Sequence, residues 1–290
     1  MPSMPRRVLV GAAFGVAAVV VCGAVVASGS GAGQFPTPRQ DSPATIWAVG
    51  DGANGSGDGR AVARMIAAEN PAAFLYLGDV YEAGTAAEFR DNYDAVYGAL
   101  RTVTLPTPGN HDWGSHTVGY DPYWAQVAGG TPPTYYATSV AGWQIISLNS
   151  EEPHGAASPQ LAWLKKQVKA PGTCRIAFWH RPRFSAATHG DATDMGTVWS
   201  ALRGHASLVL NGHEHDMQQL RRRNGITELI AGAGGRERYD VDASDPRLVW
   251  SNDSAYGAVR LTLSPGRARF AFVATGGKTL KAGSVGCQTG

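Results

Sequence analysis

Cysteine is scarce. The chain has 290 residues and only three cysteines. None sits in a C-x-x-C, which argues against a structural zinc site built on thiolates. Cys22 lies in an N-terminal leader, so Cys174 and Cys287 remain. They form either a disulfide or two separate thiols. An excess of charge is also missing, with 25 basic against 23 acidic residues. Without Arg6 and Arg7 of the leader, 23 of each remain. A balanced surface gives no basis for nucleic-acid binding or for attraction to an anionic membrane. Outside the leader there is no internal repeat and no low-complexity run. With 43% hydrophobic and 17% charged residues, the rest suits one large globular domain with a short appendage.

Residues 1–33 read as that appendage. Arg6-Arg7 precedes an almost wholly apolar stretch from Val8 to about Ala27, followed by Gly, Ser and Ala. This is the n-region, h-region and small-residue end of a secretory signal. The apolar stretch is long for a signal and near the ~20 residues that span a bilayer, so an uncleaved N-terminal membrane anchor is the alternative. Either way the expected location is secreted or extracytoplasmic. Val19-Val20-Val21-Cys22 is a poor lipoprotein box, and Pro5 and Val8 match the twin-arginine pattern poorly. Residues 34–44, with three prolines, read as a linker. The domain runs over 45–275, with 276–290 as a C-terminal tail.

Within the domain, apolar strand patterns alternate with amphipathic helices. Strands at 45–49, 73–77 and 102–105 are separated by helices around Val62–Ile66 and Phe89–Leu100. The second helix opens on the capping box Thr85-x-x-Glu88. A hairpin around Ala141-Gly142 follows. Ser158-Pro159 then caps a helix. Strands at 175–179 and 208–210 come next, and three or four more complete the chain, the last near Lys278–Lys281. Alternation, hairpin, alternation and strands predict an α/β (α+β) four-layer αββα sandwich, two mixed sheets flanked by helices.

Chemistry-bearing residues cluster just past the ends of the apolar strands. The segments are Gly50-Asp51, Gly78-Asp79, Gly109-Asn110-His111-Asp112, His180 and Gly212-His213-Glu214-His215. Open α/β sheets bind ligands at such strand ends. The two histidines of the last segment stand two residues apart, a spacing that brings both rings together on irregular backbone. Neutral imidazole is the commonest nitrogen ligand for transition metals. Singly, Asp51 reads as a turn cap and His180 as a core histidine. Together the five segments read as a metal site.

In this order the motifs resemble those of the calcineurin-like metallophosphoesterases, over about residues 45–275. Ala53 in place of the histidine of D-x-H, and a Ser-Pro-Gln-Leu-x-x-Leu helix before His180, are similar to the purple acid phosphatase branch. The resemblance implies two metal ions, of iron, zinc or manganese. Asp51, Asp79 and His215 would hold the first. Asp79 would bridge to the second, held also by Asn110, His180 and His213. Two divalent cations against two carboxylates and a hydroxide leave the site net positive, ready for a phosphate dianion. His111 would contact phosphate and protonate the leaving alcohol, with Asp112 orienting its ring. His189 resembles a second substrate-facing histidine.

One departure bears on the metal. The branch carries G-D-x-x-Y, whose tyrosinate binds ferric iron. Here the run is Gly78-Asp79-Val80-Tyr81-Glu82, with the tyrosine one residue early. Tyr81 is a ligand, Glu82 replaces it, or neither binds. In an extended segment the shift turns the ring away, so the reading favours a colourless site of zinc, manganese or ferrous iron. The implied activity is a secreted phosphatase acting on phosphomonoesters. The alternatives are a phosphodiesterase on the same site and a non-catalytic phosphate- or metal-binding protein. Arg181, Arg183 and Arg221-Arg222-Arg223 are either a preference for polyanionic substrates or solvated surface charge.

Overall fold

Short runs of Ile, Val, Leu and aromatic residues form the strands, because such side chains pack well on a pleated surface. The computed structural model describes residues 1–2 and 33–288, so the expected signal or anchor lies almost wholly outside the described residues. Among them, no helix is long and apolar enough to cross a membrane.

The strands are β1 (Ala44–Val49), β2 (Ala73–Tyr76), β3 (Thr104–Pro106), β4 (Tyr136–Val140) and β5 (Trp143–Ser147). Then come β6 (Cys174–Phe178), β7 (Leu208–Asn211), β8 (Met217–Leu220) and β9 (Thr227–Ala231). Last are β10 (Leu248–Asn252), β11 (Gly257–Ser264), β12 (Arg267–Ala274) and β13 (Thr279–Gly286). Six strands form one mixed sheet in the order β13-β12-β11-β1-β2-β3. Seven form the other, in the order β10-β8-β9-β7-β6-β5-β4. Helices flank both sheets, and the sandwich of two mixed sheets is the expected fold.

Alternation along single strands shows how the layers meet. In β6 and β7, Ile176, Phe178, Leu208 and Leu210 join the core that also contains Ile46, Leu75 and Val259 of the other sheet. Ala177 and Val209 point the opposite way, onto Leu161 and Leu164 of the Pro159–Gln167 helix and Val198 of the Gly196–Leu202 helix. A period of two with both faces buried is what a central strand between two layers requires.

Three differences from the sequence reading stand out. The strand expected near Lys278–Lys281 is present but runs on to Gly286 as β13, and it pairs antiparallel with β12 from Arg267↔Gly286 onward, so the stretch 276–290 is mostly sheet and not a tail. The linker packs against the domain: Phe35 is buried, its ring 4.8 Å from that of Tyr136. The helix after the capping box widens into a π-helical stretch over Phe89–Asp94 and ends as a 3-10 helix at Val103. The capping box itself is present at Thr85 and Glu88.

Cys174 and Cys287 are disulfide-bonded, across a sequence separation of 113 residues. The bond ties the end of edge strand β13 to the start of β6 in the other sheet. Closing so long a loop restricts the unfolded chain, an effect of about 2–4 kcal/mol.

Candidate metal centre

Parallel pairing sets the site. β1, β2 and β3 run parallel to one another, as do β5, β6 and β7. Their C-terminal ends therefore lie along one rim, where the two sheets meet. The backbone turns there are tight. Asp51, Asp79 and His213 adopt φ of 60°, 70° and 70°. Asp and His visit this left-handed region more readily than most residues, yet each instance costs about 1–3 kcal/mol. Such cost at three strand ends is kept only where the surrounding structure enforces it. Two glycines admit the close packing. A Cβ on Gly212 would lie 2.6 Å from Asp51 Oδ2, and one on Gly109 would collide with the Asp79 carboxylate.

The structure brings all six expected metal-site residues together in two linked groups. In the first, His215 Nε2 stands 3.7 Å from Asp51 Oδ1. In the second, His180 Nε2 lies 3.4 Å from Asp79 Oδ2, 3.1 Å from Asn110 Oδ1 and 3.2 Å from His213 Nδ1. One ligand atom each from Asp51, Asp79 and His180 falls within 4.8 Å of the others. Carbonyl oxygens fix two ring orientations. His180 Nδ1 donates to Leu77 O at 2.8 Å, and His215 Nδ1 donates to Glu237 O at 2.7 Å. Each Nε2 is thereby turned to the site, with its lone pair free when the ring is neutral.

The electrostatics match a cation site. Burial, chiefly, pushes the Asp51 carboxyl well above its usual range, and the Asp79 charge adds to this. Burial also favours the neutral forms of His213, brought down to about 2, and His215, brought down to about 4. Those rings thus present lone pairs and do not neutralise the carboxylates. Burial opposes charge on His180 too, but Asp79 and Asp51 outweigh it and raise that ring to about 10. For Asp79, burial is overcome by His180 and His111, and its carboxyl falls below the usual range. A divalent cation would accept the converging N and O donors with the imidazoles neutral. The donor set of carboxylate, carboxamide and imidazole suits zinc, iron or manganese.

Tyr81 corrects the sequence reading. Its hydroxyl donates to Asp51 Oδ1 at 3.0 Å and lies 2.8 Å from His215 Nε2. The alternation argument required extended backbone, whereas the chain here turns. Asp79 is left-handed, and Gly84 N donates to Val80 O at 2.9 Å, closing the turn. Glu88 accepts from Glu82 N and Ala83 N at 2.6 and 3.1 Å, holding it. The Glu82 side chain points away to solvent and pairs with Arg236, at 2.5 Å. It does not stand in for the tyrosine.

Asp112 also differs. Its carboxylate accepts three backbone N–H groups, from Asp79 and Val80 at 2.9 Å and Gly109 at 2.8 Å. It pins two metal-site loops to each other. The His111 ring is oriented instead by Glu82 O, which accepts from Nδ1 at 2.5 Å. His111 N donates to Asp79 Oδ1 at 3.0 Å, and Nε2 stands 3.9 Å from Asp79 Oδ2.

His189 reaches the site, its ring 4.2 Å from that of His213. The residue that puts it there is Glu214, which sequence reasoning passed over as the spacer in His-x-His. Its buried carboxylate accepts Ser185 Oγ at 2.8 Å and Gly190 N at 3.0 Å, and lies 3.2 Å from His189 Nδ1. A carboxylate between two metal-type histidines was the available signal. Tyr239, also missed, stacks on His215 with centroids 4.0 Å apart. No spacing in the sequence ties it to the motifs. Beside His189 and His213 opens a cleft of about 700 Å3.

Residues 44–217 match the calcineurin-like phosphoesterase family. A tartrate-resistant acid phosphatase type 5 from Mus musculus is 30% identical over 136 residues, 43% of this chain and 42% of that relative. Matching segments span less than half the length of the curated relatives. A purple acid phosphatase from Lupinus luteus seeds superposes with a TM-score of 0.70 at 14% identity, over 87% of this chain and 55% of the other. GAP50, the anchor in the inner membrane complex of Plasmodium, superposes with a TM-score of 0.70 at 14% identity, over 84% of this chain and 89% of the other. At such identities the likeness speaks for the fold alone, and one fold hosts several functions.

Proposed function

This chain belongs to the calcineurin-like phosphoesterase family, and from that premise we propose that it is a metal-dependent phosphatase hydrolysing phosphomonoesters at a pair of metal ions. The observation that carries the reading is the convergence of buried carboxylates and imidazole lone pairs from both sheets at one rim. Asp51, Tyr81 and His215 would hold one ion, Asn110, His180 and His213 the other, with Asp79 shared. Ions bound there supply Lewis acidity toward a phosphoryl oxygen and make water a nucleophile at neutral pH.

The chain's own groups do the rest. The carbonyls of Leu77 and Glu237 hold two rings in register. Asp112 fastens the Asp79 and Gly109 loops. His111, with Nδ1 engaged on Glu82 O, has Nε2 left to deliver a proton to the departing alkoxide. His189, held by Glu214, contacts the phosphate. Protein stripped of metal should be inert, and reloading with zinc, manganese or iron should restore hydrolysis of nitrophenyl phosphate. The monoester should be turned over faster than bis(nitrophenyl) phosphate. A faster diester reaction would make the enzyme a phosphodiesterase, and inertness of every reloaded form would leave only a binding role.

Tyr81 bears on which metal is used. Burial first, then Asp51 and Asp79, push its phenol well above the ordinary value. A phenolate held on ferric iron would absorb visible light, whereas a phenol that keeps its proton would not. We expect protein loaded with iron under air to show a visible charge-transfer band that Tyr81→Phe abolishes. A band of equal intensity in the variant would place Tyr81 outside the metal's ligands. Export to an oxidising compartment is part of the proposal, supported by the leader pattern and by the Cys174–Cys287 bond.

A further inference from the structure

The arginines that pointed to a polyanionic substrate are already engaged or lie elsewhere. Arg181 Nε donates to both Glu151 oxygens, at 2.9 and 3.1 Å. Asp191 is met by Arg247 at 2.7 Å and approached by Arg183 at 3.7 Å. Arg221, Arg222 and Arg223 line a separate hollow beside Phe184 and Pro246.

What faces the cleft beside His189 and His213 is acidic. Glu151, Glu152, Asp191 and Asp194 line it, against the single arginine Arg181. Arg181 matches Glu151, and the arginines behind the wall match Asp191. Glu152 and Asp194 have no arginine or lysine partner among the described residues. Asp194 meets His154, whose Nε2 is 3.3 Å away and carries charge only when protonated. His154 Nδ1 donates to the Glu152 carbonyl at 2.8 Å, so this histidine holds the two acidic segments together.

A phosphomonoester has two ends of different character. Its dianion must meet the metal centre, and its alcohol must extend into adjoining space. The cleft is the space beside His189 and His213, and the charge lining it acts on whatever enters. An alcohol carrying a second anion is repelled there, and one carrying a cation is drawn in. Resting on the phosphatase reading above, we infer that the preferred substrates are phosphomonoesters of alcohols bearing an ammonium or similar cation, which faces Glu152 and Asp194.

The test compares kcat/KM of the metal-loaded full chain on 2-aminoethyl, propyl and 2-carboxyethyl phosphate. These are cationic, neutral and anionic alcohols of similar size. The aminoethyl ester should lead the propyl ester by about two- to fivefold for each carboxylate, as partly exposed ion pairs do. The carboxyethyl ester should trail both. The differences should lie in KM, shrink as ionic strength rises, and vanish in the double variant E152Q/D194N. Equal kcat/KM for all three esters, or an undiminished preference in the double variant, would overturn the inference. Should that variant fail to fold, the salt dependence of the unmodified protein decides: a preference insensitive to salt overturns it. Inertness toward all three and toward nitrophenyl phosphate would remove the phosphatase reading itself, and the inference with it.

Discussion

Asp79→Asn should yield a folded protein that binds at most one metal ion tightly and hardly turns over any ester. Asparagine tolerates the left-handed backbone that Asp79 adopts, with φ 70°, so the turn should survive. What is lost is one negative charge between the two groups of donors, and one of two acceptor oxygens. Oδ2 faces His180 Nε2 at 3.4 Å, while Oδ1 accepts from His111 N at 3.0 Å. The carboxamide must keep its oxygen on one of these sides and turn an NH2 to the other. An NH2 on the metal side has no lone pair to give. Metal analysis of the purified variant, beside its rate on nitrophenyl phosphate, checks the prediction. Two equivalents of tightly bound metal with normal turnover would exclude Asp79 as the shared ligand.

The second large effect should come from His111→Ala. The variant should keep its metal and lose about 10²–10⁴-fold in turnover, the range expected for a positioned general acid. Its ring is held by Glu82 O on one side and packs on Tyr81 at 4.6 Å, leaving Nε2 turned to the site. Alkyl phosphates, whose alkoxides leave poorly without a proton, should suffer most. Nitrophenyl phosphate should suffer least. The same loss for both kinds of ester would mean that His111 positions phosphate and donates no proton. Because its backbone N–H also supports Asp79, the metal content of the variant must be measured alongside. That N–H is retained in alanine.

The sequence by itself determined the frame and the residue types of the site. Apolar strands ending in Asp, Asn and His are a local pattern, and strands that run parallel bring their ends to one rim whatever the loops do. For that reason the gathering of Asp51, Asp79, Asn110, His180, His213 and His215 in one place was expected from the sequence. The two mixed sheets followed from the order of strands and helices. The tertiary structure decided everything that depends on which distant segment a group meets. Tyr81 faces the site because Asp79 is left-handed and the chain turns, where an extended reading sent its ring outward. Asp112 serves backbone amides of a loop more than 30 residues earlier, not the ring beside it. Glu214 looks like a spacer until the loop carrying His189 folds onto it. The last strand, expected near Lys278–Lys281, extends to Gly286 because β12 offers it partners, although its own sequence is half exposed and weakly apolar. Arg181 and Arg183, near His180, read as substrate-directed or solvated charge until Glu151 is found against the first and Asp191 near the second. Side-chain chemistry is written in the residue, but charge balance and hydrogen-bond assignment are properties of neighbours, and neighbours far apart in the chain are set only by folding.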